Sequence, residues 1–211
     1  MIYTSINQPV FQQIPQHTKK ILDIGCGSGI LGQTIKEKIN CEVFGITYSE
    51  DEASLASQCL DKVIVTDINQ LDPSILGKFD CIICSHILEH LYNPEKLLIV
   101  LHNNLSKEGK LIVALPNVLF FKQRWEFMKG NFKYTDGGLM DKTHFRFYDW
   151  ETAYQLLIQT NWIVTQRIAD VHFPLPLIRR FVRPLEPKLN QFVSHKFPGL
   201  FATQFILVAK T

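Results

Sequence analysis

The stretch ILDIGCGSG, residues 21–29, decides how the rest of this chain is read. It closes the run KKILDI (19–24), which is apolar, partly β-branched and ended by glycine, the pattern of a strand. Beyond it Ile30, Leu31, Thr34, Ile35 and Lys38 recur at helical spacing, so a helix is expected over 28–39. Between the two, Gly25 and Gly27 carry no Cβ, and the backbone can approach a ligand closely. The exposed N–H groups of the following helix can meet a carboxylate or another electron-rich group. In open α/β sheets, ligands bind at the carboxyl ends of the strands, where this loop lies.

The glycines fall as G-x-G-x-G, with Ile30 where a dinucleotide fingerprint would place its third glycine. Asp23 stands two residues before the first glycine. Its charge would repel a pyrophosphate and attract an ammonium or sulfonium. S-adenosyl-L-methionine carries both cations, and its carboxylate can use the helix N-terminus. Ile30 and Asp23 together disfavour a nicotinamide oxidoreductase.

Outward from the loop, short apolar runs alternate with helical patterns. Strands are expected at 41–47, 62–66, 79–85 and 109–115, with helices at 50–59 and 94–105 between them. The second of these helices stops before SKEGK, where Gly109 supplies the turn. A helix over 149–161, capped by Asp149 or Thr143, precedes strands at 162–169 and 203–210. Strands apolar on both faces and separated by helices imply a doubly wound, seven-stranded, mostly parallel α/β sheet. The last two strands lack the usual helix pair and imply an antiparallel edge. One domain over 1–211 is expected, with excursions at 117–148 and 171–200 that could cover a site.

The 211 residues are 46% hydrophobic and 20% charged, within the range of an ordinary globular chain, and net charge is only +2. That balance does not point to nucleic acid. Five cysteines and no secretory pattern at the start suit reduced thiols and a cytoplasmic location. Cys81 and Cys84 form a C-x-x-C inside the apolar run FDCIICSHIL, which reads as buried strand rather than as a redox or zinc pair. No stretch approaches the roughly 20 apolar residues that span a bilayer.

ILDIGCGSG resembles motif I of class I S-adenosylmethionine-dependent methyltransferases. FDCIICSHILEHLYNPEKLL resembles the fourth-strand motif of the branch that includes ubiquinone-type O-methyltransferases, and LSKEGKLIVALPN the fifth-strand motif. GNFKYTDGGLMDKTHFRFYDWETAYQLL resembles a bacterial subfamily of small methyltransferases. The resemblance covers nearly the whole chain from residue 10 on. It implies a Rossmann-like methyltransferase fold and S-adenosyl-L-methionine bound through Asp23, Gly25, Cys26, Gly27, Gly29, Thr47, Tyr48, Ser49, Asp67, Ile68, Cys84, Ser85 and His86, with Asp67 meeting the adenine amino group.

One position departs from the family. Many members end the second strand in Asp or Glu, which accepts both ribose hydroxyls; here Thr47 stands there, and a hydroxyl cannot accept in the same bidentate way. Tyr48, Ser49 or Glu50 could contact the ribose or adenine instead, and Glu50 could equally sit in the first turn of the next helix. The chain lacks an N-P-P-Y-type tetrapeptide after the fourth strand, having CSHI there, which weighs against nucleic-acid methylation.

Methyl transfer is an in-line displacement, so holding the acceptor close supplies much of the catalysis. An oxygen acceptor also benefits from a base. His86, His90 and His144 are the candidates. His144, between Asp141, Lys142 and Arg146, is preferred, His86 comes second, and His90 reads as a structural histidine. No His, Asp or Glu cluster stands at metal-ligand spacing in the sequence. Phe121, Trp125 and Met128 recur at helical spacing and read as core. Gly137 and Gly138 could hinge a lid over 131–147.

Residues 174–198 carry an apolar stripe with interspersed Arg179, Arg180, Arg183 and Lys188. Packing on the chain's own sheet is the first reading, and a peripheral contact with an anionic membrane the second. The sequence thus implies a methyltransferase acting on oxygen of a small molecule or of a glycan- or lipid-linked intermediate. The competing reading is a non-catalytic module of the same fold that regulates a partner protein.

Overall fold

The computed structural model describes residues 6–71, 76–171 and 192–211. Seven strands form one sheet: β1 (Lys20–Ile24), β2 (Glu42–Thr47), β3 (Lys62–Val65), β4 (Phe79–Ser85), β5 (Leu105–Pro116), β6 (Ile163–Val171) and β7 (Ala202–Lys210). Their order is β3-β2-β1-β4-β5-β7-β6. The first five run parallel, with Ile24 beside both Ile46 and Cys84. β7 runs antiparallel to β5 and to β6, so both outermost pairings on that side are antiparallel, as the missing helix pair implied.

Side chains alternate between the two faces of each strand. Ile21, Val43, Cys81, Ile83, Ile112 and Ile206 pack on one side with α1 (Gln8–Phe11), α2 (Ile30–Lys38) and α3 (Glu50–Ala56), through Val10, Ile35 and Ala56. Leu22, Ile24, Ile82, Val113 and Leu207 face the other way, against Leu97, Leu98 and Leu101 of α4 (Pro94–Leu101) and Leu156 and Leu157 of α6 (Trp150–Gln159). Helices cover both faces, which is why the central strands are apolar throughout. Asp149 caps α6: its carboxylate accepts from the Glu151 and Thr152 amides while the Thr152 hydroxyl accepts from the Asp149 amide, a complete capping box.

Two expectations change. The helix over 94–105 ends at Leu101, a 3-10 turn covers His102–Asn104, and β5 begins at Leu105, well before Gly109. Gly109 therefore lies within the strand, not in a turn ahead of it. Leu105 pairs with Phe79 but Lys110 with Cys81, so residues 106–109 bulge out of the ladder. A Cβ on Gly109 would lie 2.8 Å from the Leu105 side chain, which is why glycine stands in the bulge.

The excursion after β5 also departs from its reading. α5 (Phe121–Met128) buries none of its residues; Trp125 is 58% and Met128 71% exposed. Helical spacing gives the right element and the wrong environment: Phe121 meets Phe120 and Phe201, while Trp125 and Met128 stay largely exposed. Cys81 and Cys84 are fully buried and unbonded core residues of β4, and burial pushes both thiols well above the ordinary range. No helix of the described residues is long and apolar enough to cross a membrane. Most of the amphipathic element at 174–198 lies outside the described residues.

Candidate active site

The parallel strands all end on one edge, and the loops leaving β1, β2, β3 and β4 meet there. The chain leaves β1 with Gly25 at φ 81° and Gly27 at φ 53°, left-handed conformations that favour glycine. A Cβ on Gly25 would press to 2.9 Å from Ile87, in the loop after β4. Above Gly27 the space is open, with the nearest atom, Glu52 Oε1, 4.0 Å away. The Gly25 and Cys26 amides are tied to the Ile46 carbonyl. The Gly27 and Ser28 amides donate to no backbone carbonyl among the described residues.

Asp23 lies under this loop, 2% exposed. Burial alone raises its pKa to about 7, with no hydrogen bond or ion pair offsetting that effect. The Ser28 hydroxyl is likewise buried and unpartnered. A buried carboxylate that has no hydrogen-bond partner among the described residues, beside amides equally unengaged among them and an open glycine, fits a ligand that brings a cation and a carboxylate of its own. S-adenosyl-L-methionine meets that description. Cys26 is buried, its thiol pushed up by burial first and Asp23 next, and Gly29 holds the left-handed N-cap of α2.

At the end of β2, Thr47 is buried and donates its hydroxyl to Glu52 Oε2 at 2.8 Å. Ser49 caps α3, its hydroxyl accepting from the Glu52 amide. Tyr48 is 77% exposed, and Glu50 sits in the first turn of α3. Sequence reading passed over Glu52. It nevertheless places a carboxylate at the tip of β2 and over Gly27, restoring from α3 the charge that the strand itself lacks. The signal was local: Thr47 and Glu52 flank the Ser49 cap, whose extended backbone turns the strand end toward the helix.

Asp67, after β3, caps a short 3-10 turn. Its carboxylate accepts from the Asn69 amide, the Asn69 side chain and the Gln70 side chain. Three of about four acceptor directions are taken, which leaves one for an adenine amino group. Ile68 beside it is buried.

At the end of β4, Cys84 is core and Ser85 Oγ accepts from Asn7 at 3.2 Å. Asn7 also donates to Gln204 Oε1 at 2.8 Å, and Gln204 donates back to Asn7 and to Asp170. His86 joins this net. Its Nε2 lies 2.8 Å from Gln204 Oε1 and its Nδ1 3.3 Å from Glu89 Oε1, so both nitrogens face acceptors. Desolvation lowers its pKa, but Glu89, Gln204 and Asp170 together outweigh that and the net shift is upward. Both nitrogens are thereby engaged in holding the ring in place. Asn7 and Gln204 are 197 positions apart, and nothing in the sequence marked either.

His144 and His90 come together, ring centroids 4.7 Å apart and edge to face. His144 Nδ1 lies 3.2 Å from the Leu139 carbonyl and His90 Nδ1 3.2 Å from the Thr143 carbonyl. Burial holds His144 below its ordinary range, hence neutral near pH 7. The Phe145 and Arg146 amides both donate to the Glu89 carbonyl, pinning the excursion to the loop after β4. Glu89, His90 and His144 each offer a ligand atom within 4.8 Å of the others. Sequence spacing hid this cluster because the fold alone brings residue 144 to the 89–90 pair.

A family profile described as a methyltransferase domain matches residues 8–167. The ubiquinone biosynthesis O-methyltransferase of Glaesserella parasuis serovar 5 (strain SH0165) is 33% identical over 109 residues, 47% of this chain and 46% of that protein. The chain spans about half the length of the curated relatives it matches. Among solved structures, a SAM-dependent methyltransferase from Archaeoglobus fulgidus superposes with a TM-score of 0.64 at 19% identity, covering 97% of this chain and 89% of that one. The plantazolicin methyltransferase BpumL, in complex with SAH, gives 0.60 at 20% identity over 97% and 79%. At these identities the structural likeness is one of fold.

Proposed function

Since this chain belongs to the methyltransferase-domain family and S-adenosyl-L-methionine is its cofactor, we propose that it transfers the cofactor's methyl group to a hydroxyl oxygen of a small molecule or of a glycan- or lipid-linked intermediate. The observation that carries this reading is Asp23, a buried carboxylate with no partner among the described residues, beneath open glycine-loop amides. The cofactor supplies a methyl group already activated by its sulfonium.

The chain's own residues hold and orient. Asp23 receives the ammonium end, and the Gly27 and Ser28 amides receive the carboxylate. Glu52, fixed by Thr47, accepts from the ribose hydroxyls, and the free direction on Asp67 accepts from the adenine. The acceptor hydroxyl must lose a proton, and basic atoms converge at Glu89, His90 and His144, next to the Ile87 that abuts the glycine loop. His86, its two ring nitrogens facing Glu89 and Gln204, holds that loop, and we place the base with His144 ahead of it. The domain is taken to work in the cytoplasm.

The O-methyltransferase name of the matched relatives supports an oxygen acceptor. Thr47 slightly favours the competing reading, a module without turnover, and the Glu52 carboxylate held beside it weighs against that argument. Incubation with methyl-labelled cofactor and fractionated cell extract tests the proposal. Label should pass to an acceptor that releases it only under ether- or ester-cleaving conditions. Cofactor binding without transfer to any fraction would leave the module reading standing instead.

A further inference from the structure

We propose that Gln204 is a positioning residue for methyl transfer: oriented by Asp170 and Asn7, it fixes the His86 ring with a proton on Nε2, and so sets the loop after β4 on which the excursion carrying His144 is docked. The inference rests on the methyl-transfer reading for its purpose, while the placement of the proton stands without it. Three observations carry it.

The first is the direction of the hydrogen bonds. Gln204 on β7 stands opposite Asp170 on β6, with its Nε2 2.8 Å from Asp170 Oδ2. A carboxylate only accepts, so the amide nitrogen points there and Gln204 Oε1 points away. That oxygen lies 2.8 Å from Asn7 Nδ2 and 2.8 Å from His86 Nε2. An amide oxygen cannot donate, so the proton in the second contact belongs to His86 Nε2. Asn7 sets the same orientation independently. Its Oδ1 accepts from the Val10 amide, as the cap of α1, and from Gln204 Nε2 at 3.2 Å. Its Nδ2 is left to donate to Gln204 Oε1 and Ser85 Oγ. Two anchors on different elements thus assign one tautomer-defining nitrogen.

The second is saturation. A glutamine amide offers two donor hydrogens and two acceptor lone pairs. Gln204 uses all four, and every partner is a side chain: Asn7 twice, His86 and Asp170. Bonds between side chains are the minority in folded proteins, so four on one strand residue mark a built junction. It joins the segment ahead of α1 to the carboxyl end of β4 and to β6 and β7.

The third is backbone strain at the residue that the junction holds. His86 has φ 53°, and among the described residues only Asn161 is another non-glycine with positive φ. Asparagine adopts that region readily; a strained histidine persists where its surroundings over-determine it, and such residues gather at functional sites. The His86 amide donates to the Ala114 carbonyl at 3.0 Å, Nε2 is held by Gln204, and Nδ1 faces Glu89 Oε1 at 3.3 Å. Its side chain is still 40% exposed, at the sheet edge where the strand-end loops meet.

The ties run on from there. The Glu89 carbonyl accepts from the Phe145 and Arg146 amides, next to His144. Gln204 therefore acts through His86 and Glu89 on the placement of the base, without touching acceptor or cofactor. In an in-line displacement a shift of about 1 Å costs on the order of 100-fold in rate.

The test uses the full chain carrying nitrogen-15 histidine, with His86 identified by the signals that H86Q removes. The wild-type His86 Nε2 should show a bound proton protected from exchange with water. In Q204L that proton should be lost to exchange. The initial rate of label transfer from methyl-labelled cofactor, at saturating levels of the extract fraction that accepts it, should fall about tenfold or more. Calorimetric affinity for S-adenosylhomocysteine should stay within about twofold of wild type. Q204A repeats each measurement should Q204L fail to fold by circular dichroism. A wild-type Nε2 without a proton overturns the proposal, as does protection unchanged in the Gln204 variant. So does an unchanged transfer rate in that variant, or a rate loss matched by an equal loss of cofactor affinity, which would mark a merely structural role. If wild type transfers label to no fraction while the Nε2 proton behaves as expected, the methyl-transfer reading falls alone and the proton placement stands.

Discussion

Replacing Asp23 with Asn should make the protein more stable and worse at binding its cofactor. In the folded chain burial holds the Asp23 carboxyl at about 7, against an ordinary 3.8. The folded state therefore keeps, between those values, a proton that the unfolded chain has released. Stability falls as pH rises through that window and the penalty is complete above it. Roughly three units at 1.36 kcal/mol each give about 4 kcal/mol at about pH 8, and about half that at about pH 5.5. Asn, neutral at every pH, is spared the penalty. For a chain of this size that is a rise in melting temperature on the order of 10 °C at about pH 8, shrinking toward acid. The cofactor's ammonium meanwhile loses its charged partner, worth about 1.5–3 kcal/mol, or roughly 10- to 100-fold in affinity. Thermal melts of wild type and D23N at two pH values, with calorimetric titration of S-adenosylhomocysteine, read both effects. A merely structural aspartate would lower stability on replacement. A D23N variant that melts below wild type at the higher pH, or that binds the cofactor as well as wild type, refutes the reasoning.

E52Q should weaken cofactor affinity roughly tenfold by calorimetry while leaving the melting temperature within about 2 °C, because the Ser49 cap of α3 uses the Glu52 amide and not its side chain. G25A forces a Cβ onto Ile87 at a left-handed φ of 81° and should abolish detectable cofactor binding in the same assay while the protein still folds by circular dichroism. W162A removes a ring that is 1% exposed, stacked on His102 and bonded to the Leu98 carbonyl; urea denaturation should show a loss of about 3–5 kcal/mol. D149A breaks the capping box of α6 and should cost about 1 kcal/mol by the same measurement, with cofactor affinity unchanged.

Local periodicity and turn chemistry carried most of the fold. The strand, glycine turn and helix around Gly25, the apolar β4 with its buried cysteines, and the Asp149 cap were legible because each depends on neighbours a few residues away. The bulge at Gly109 was read as a turn because a glycine after a helix usually ends something, and only the Phe79–Leu105 pairing shows the strand already under way. Trp125 and Met128 read as core and lie exposed because spacing reports which residues share a face, not what that face meets.

The site divides the same way. Asp23 and the glycines announced themselves, since the loop is contiguous. Glu52 carries no mark of its own in the sequence, because the strand-end position expected to be acidic is Thr47, five residues earlier. The Asn7–Gln204–His86 net and the Glu89–His90–His144 cluster join residues from distant parts of the chain, and no single-sequence pattern records such a meeting.

A crystal structure of the chain with S-adenosylhomocysteine bound is the most direct check on the glycine-loop seat. The amino-acid end of the ligand should lie over Gly25–Gly29, its ammonium against the Asp23 carboxylate and its carboxylate on the Gly27 and Ser28 amides, with Glu52 on the ribose. Density for the ligand anywhere else, or an Asp23 carboxylate that turns away from it, would contradict the account.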